Sequence, residues 1–101
     1  MTYKFSEIPE KKLVEGIKGK YIHTNTNTVG YITIEKGSVL PAHSHIHEQI
    51  TQVISGQLEM TIDGIESDSI TVIPPNIVHN AIALTNCEVI DTFFPVREDY
   101  K

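Results

Sequence analysis

An all-β fold, a small antiparallel sandwich or barrel, is what this chain predicts, on three observations. Short runs rich in Val, Ile, Thr and Tyr recur about every eight to twelve residues, with turn residues between them. No stretch carries a convincing helical period, and residues 7–15 hold one short turn at most. Asp63-Gly64, set after an apolar run, is the strongest hairpin signal in the chain.

The elements follow in order. Gly19–Thr24 and Thr28–Glu35 read as strands, joined by the polar turn Asn25-Thr26-Asn27. Lys36-Gly37 ends the second, and Ser38–Ala42 leads into a dense histidine run. Ile50–Ser55 alternates until Gly56 breaks the pattern, and Gln57–Ile62 puts Leu58, Met60 and Ile62 on one face. Ile70–Ile73 is a short apolar strand stopped by Pro74-Pro75, which cannot donate ladder hydrogen bonds. His79–Leu84 and Glu88–Phe94 complete the set around a Thr85-Asn86 turn, and alternation puts Val89, Asp91 and Phe93 on one face.

Composition narrows the function classes. The 101 residues suggest one domain, 1–101, without repeats or linkers. The net charge is −5 and the eight Lys and Arg are scattered, which argues against nucleic-acid binding. No apolar run approaches the ~20 residues of a spanning helix, which argues against a membrane span. The N-terminus lacks a signal-peptide core, and the single Cys87, read as a bystander beside a turn, permits no intrachain disulfide. A cytoplasmic setting is therefore expected.

The run HSHIHEQ at 43–49 carries the chemistry. His43, His45, His47 and Gln49 stand at alternate positions, which is strand spacing. Imidazole is the commonest protein metal ligand. These histidines could cap a strand end, but their density, with His79 further on, favours a metal site. Asp91 sits in an apolar strand, where an unpartnered carboxylate is costly. It should pair with Arg97 or a histidine, carry a raised pKa suited to proton transfer, or bond backbone groups as a structural Asp. Arg97 has a fork suited to capturing a carboxylate, or it pairs at the surface with Glu98 or Asp99. Phe93 reads as core, and Tyr31 is a weaker candidate for a pocket lining.

The spacing Gly37, five residues, His43, one, His45, three, Gln49, six, Gly56 resembles the first cupin motif, with Gln49 where that family usually has Glu. Pro74-Pro75-Asn76-Ile77-Val78-His79 resembles the second, with Asn76 at a usual glycine; Asp68 replaces another glycine, in a short-looking segment Ile65–Ser69. Asn tolerates positive φ, so the turn at Asn76 can survive. The resemblance runs from about Tyr21 to Arg97 and implies a double-stranded β-helix, a jelly-roll β-barrel. It implies one divalent transition metal inside that barrel (Ni, Zn, Mn, Fe or Co), held by His43, His45, Gln49 and His79. The family turns the chain near His47, so that residue is expected beside the site or partly exposed, and Glu48 in solvent. Four neutral donors would cancel none of the metal's charge, which favours an anionic ligand and Lewis-acid chemistry.

The end of the chain, VIDTFFPVREDY, together with HEQ and PPNIVH, is similar to the KdgF-type cupins of pectin and alginate breakdown. Those proteins convert 4,5-unsaturated monouronates to linear 4-deoxy-5-keto uronates, an isomerase- or lyase-like reaction. The resemblance places their catalytic Asp, Phe and Arg on Asp91, Phe93 and Arg97, with Phe93 as a wall for the sugar ring. It implies a small sugar-acid substrate, and the family and the exposed edges of a small sheet imply a homodimer. The rival readings are another metal-dependent cupin enzyme, such as a dioxygenase, and a non-catalytic module binding sugars or small acids.

Overall fold

The computed structural model describes residues 1–67 and 70–101, with side chains for all of these except 65–67. The strands are β1 (Lys11–Val14), β2 (Ile17–His23), β3 (Thr28–Ile34), β4 (Val39–His43) and β5 (Glu48–Ser55), then β6 (Leu58–Ile62), β7 (Ile65–Ser67), β8 (Ile70–Ile73), β9 (His79–Ala83) and β10 (Cys87–Phe94). They form two antiparallel sheets, one ordered β1-β2-β3-β10-β5-β8 and the other β4-β9-β6-β7. Sequence neighbours β4 and β5 lie in different sheets, so the chain crosses between layers as a jelly-roll barrel requires.

Period-two burial explains the closure. In β3, Thr28, Gly30, Ile32 and Ile34 are buried while Val29, Tyr31 and Thr33 are not. Ile17, Ile32, Ile34 and Val89 from one sheet meet Leu58, Met60, Ala81 and Ala83 from the other. Cys87 joins this core, and its Sγ donates to the Thr85 carbonyl. The alternation that buries Gly30 and Ile32 turns Tyr31 outward, where it meets Phe5 edge to face at 5.4 Å. Tyr31 is therefore not a pocket residue.

Turn chemistry matches the sequence at several points. Asp63 and Gly64 both take positive φ, 49° and 80°, as a tight hairpin needs. Asn76 takes φ 65°, so the glycine it replaces is functionally substituted. A Cβ on Gly56 would meet the Asn86 carbonyl oxygen at 2.2 Å, which admits only glycine there.

Three boundaries differ from expectation. Residues 7–15 contain the strand β1, beyond a 3₁₀ turn at Phe5–Glu7. β1 is a four-residue edge strand defined by its pairing with β2, and such pairing leaves little local pattern. The hairpin at Asp63-Gly64 continues as β7, with Ile62 opposite Ile65. β5 starts at Glu48, so Gln49 lies inside a strand. The replacement at Asp68 lies outside the described residues. Among the described residues no helix is long and apolar enough to cross a membrane.

Candidate metal centre

Strand register assembles the site from both sheets. β4 and β9 set His43 directly opposite His79. Across the barrel, β5 and β10 set Gln49 opposite Phe93 and Thr51 opposite Asp91. His45 lies between β4 and β5, and its carbonyl accepts a 2.7 Å hydrogen bond from the Asn76 amide. The di-proline corner thus anchors the loop that presents His45. The nitrogens that His43, His45 and His79 can offer lie within 4.8 Å of one another.

Backbone carbonyls orient all three rings. Nδ1 of His43 lies 2.8 Å from the Pro41 oxygen, Nδ1 of His79 2.9 Å from the Ile77 oxygen, and Nδ1 of His45 3.0 Å from the His47 oxygen. A carbonyl only accepts, so each Nδ1 carries a proton, which leaves Nε2 as the nitrogen that can offer a lone pair. This is how metal-binding imidazoles are commonly held.

Two observations fit a cation at these atoms. His79 is 1% exposed, and its Nε2 is buried without a protein partner. Nε2 of His45 faces Oε1 of Gln49 at 3.0 Å. Gln49 cannot present its amide NH₂ instead, because that group donates to Thr51 Oγ1 at 2.8 Å while Thr51 donates to Asp91 Oδ1 at 2.7 Å. Burial, then the nearby Arg97 charge, pushes the His45 pKa down, so the ring is held neutral. Two acceptors therefore face each other, an arrangement a shared cation resolves. The three histidines and Gln49 could hold a divalent ion, and the cluster is consistent with a metal site.

His47 is outside this cluster. Its carbonyl orients His45, while its ring is buried 6.4 Å from that of Phe93, not partly exposed. Glu48 is exposed.

Asp91 opens into the cavity between the sheets, and the surface it retains lines that cavity. Burial pushes its pKa up to about 6, against the hydrogen bonds from Thr51 and Gln49 and the Arg97 charge. Of the roles open to it, the structure shows the burial that raises its pKa, its hydrogen bond comes from the Thr51 side chain, and no ion pair joins it to Arg97 among the described residues. Arg97 combines both of its readings. Its side chain is 8% exposed and lines the cavity, yet Nε and Nη2 clasp Asp99 at 3.0 and 2.7 Å. The guanidinium lies between the rings of Phe93, at 4.7 Å, and Tyr100, at 3.9 Å. Its amide donates to Thr28 Oγ1 at 2.8 Å, tying the chain end to β3. Phe93 is core and cavity wall at once, 3% exposed and edge-on to His45 at 5.8 Å.

Sequence reasoning missed Thr51 and Tyr100. Thr51 was findable, since it shares Gln49's face of β5 at period two. Tyr100 had no signal beyond being an aromatic in a charged tail.

The cupin domain family matches residues 30–93. The chain is 32% identical to the pectin degradation protein KdgF of Dickeya dadantii (strain 3937), covering 93% of this chain and 92% of that protein. It superposes on KdgF from Halomonas sp. with a TM-score of 0.91 and 28% identity, covering 100% of this chain and 98% of that one. An RmlC-like cupin from Shewanella frigidimarina NCIMB 400 also gives a TM-score of 0.91, at 25% identity over 98% of this chain and 94% of that one. With its jelly-roll barrel and the histidines of its two motifs brought together by the paired strands β4 and β9, this chain belongs to the cupin family and is a homologue of KdgF.

Proposed function

We propose that this cupin converts 4,5-unsaturated monouronates, derived from pectin or alginate, to linear 4-deoxy-5-keto uronates. The observation that carries the reading is the hydrogen-bonded line from Gln49 through Thr51 to Asp91. It joins the metal-fitting donors to a carboxyl suited to exchanging a proton, in a cavity that Arg97 also lines. The similarity to a pectin degradation protein supports the substrate class.

A divalent ion held by His43, His45, His79 and Gln49 would supply a Lewis acid for substrate oxygens, its charge uncancelled by four neutral donors. Asp91 accepts the proton of the hemiacetal hydroxyl as the bond from that carbon to the ring oxygen breaks. This leaves an aldehyde and an enolate oxygen at C5. Asp91 then returns the proton to C4, and the C5 ketone forms. One proton leaves and one returns, so no redox partner is needed. A carboxyl with its pKa pushed up to about 6 suits both transfers near neutrality. Arg97 holds the uronate carboxylate and Phe93 walls the ring.

Purified, metal-supplied protein should remove the conjugated absorbance of an unsaturated monouronate faster than the spontaneous reaction, and a chelator should abolish the gain. No acceleration over the spontaneous rate sinks this reading.

We place the activity in the cytoplasm and in a homodimer. The dimer has support at β8, an edge strand whose Ile70 and Val72 are 69% and 58% exposed. Val72 pairs with Ile50 of β5, extending an apolar outer row, and exposed apolar edges invite a partner. Val72→Asp should shift the sedimentation coefficient from dimer to monomer. A variant that stays dimeric moves the interface elsewhere.

A further inference from the structure

Among the described residues, three buried side-chain polar atoms have no partner: Tyr21 Oη, His47 Nδ1 and His79 Nε2. A metal accounts for His79, and His47 does not line the cavity. Tyr21 does line it, at 8% exposure.

The fold makes room for this phenol at some cost. A Cβ on Gly30 would meet Tyr21 Cε1 at 2.6 Å, and one on Gly19 would meet its hydroxyl at 2.8 Å. Two strand-interior glycines, on β3 and β2, therefore clear the floor on which the ring lies, although glycine weakens a strand. Phenylalanine would fill the same niche without burying an unsatisfied hydroxyl, itself unfavourable. A ligand atom is what completes the group.

Arg97 indicates which atom. Asp99 takes the Nε proton and one Nη2 proton, so the Nη1–Nη2 edge remains for a substrate carboxylate, whose two oxygens offer about four acceptor sites and so accept a further donor. Tyr100 bridges the two residues, its ring 4.6 Å from that of Tyr21 and 3.9 Å from the Arg97 guanidinium. Burial, then the Tyr100 and Asp91 charges, pushes the Tyr21 pKa upward, so the phenol stays protonated and able to donate.

We propose that the Tyr21 hydroxyl is a further donor to the carboxylate of the bound sugar acid, in addition to the free Nη1–Nη2 edge of Arg97. It thereby gives the pocket its preference for an acid over a neutral sugar. The ligand class rests on the uronate reading above.

The test is Tyr21→Phe in the metal-loaded protein, read three ways. KM for the unsaturated monouronate should rise about ten- to hundredfold, as for a lost hydrogen bond to a charged group, with kcat within about twofold. The Kd for D-galacturonate, a saturated acid that cannot react, should weaken by a similar factor, while that for neutral galactose stays put. The melting temperature should hold or rise, because no protein partner is lost. Unchanged KM and galacturonate Kd overturn the assignment and leave the uronate reading standing. A clear fall in melting temperature also overturns it, by giving the hydroxyl a partner within the fold. A wild type that turns over nothing, yet binds galacturonate in a Tyr21-dependent way, removes the uronate reaction and keeps the assignment. A wild type that neither reacts nor binds galacturonate removes both.

Discussion

Asp91→Asn is expected to lower turnover by about 10²–10⁴-fold, the usual contribution of a positioned acid–base group, while metal content is unchanged. The substituted amide's oxygen would still accept the hydrogen bond that Thr51 now gives Asp91 Oδ1, so Gln49 would keep its orientation. The variant loses only the capacity to take and return a proton. Full turnover would remove Asp91 from the reaction. Metal-free protein offers a second check. The Asp91 pKa is raised from 3.8 to about 6, so the folded state binds this proton more readily than the unfolded chain. The stability this contributes is fully present below the unfolded value and is lost as pH rises through about 6. The amide variant has no such loss. It should therefore gain melting temperature relative to wild type above that pH, and the gain should vanish under strongly acid conditions.

His79→Ala should release the metal and return the reaction to its spontaneous rate. His79 is 1% exposed, and its Nε2 has no other partner to satisfy it. The loss of affinity should exceed the ~10–100-fold that removing an outer-shell partner costs. Metal added at about 100 times its Kd should stabilise the wild type by roughly 2.7 kcal/mol through mass action, and this increment should disappear in the variant. Elemental analysis after gel filtration, with a thermal melt with and without added metal, reads both effects. A variant that keeps one ion per chain would take His79 out of the ligand set.

Much of this was legible because period two is a strong signal. The alternation of Val89, Asp91 and Phe93 predicted one face, and that face lines the cavity from β10. The histidine run and the di-proline corner carried the site because their spacing is set by a register, His43 opposite His79. What stayed hidden depends on contacts distant in sequence. β1 exists through its pairing with β2, and Arg97 is buried because Phe93 and Tyr100 enclose it. Nothing in residues 97–101 announces that sandwich. Tyr31 misled because it stands on a central strand, where only the phase of the alternation decides which side chains turn inward.

The three imidazole-to-carbonyl bonds have a consequence for how an ion would enter. Each ring is held by its own backbone neighbour before any ion arrives, so loading the site freezes little additional motion. Small zinc domains collapse into shape around their metal, and chelators unfold them. Here the barrel stands on its apolar core, and the empty and loaded forms would share one architecture. The same preset cradle would then be able to sample different ions in turn. Which one it would carry becomes a matter of supply and exchange rate, set apart from the problem of folding.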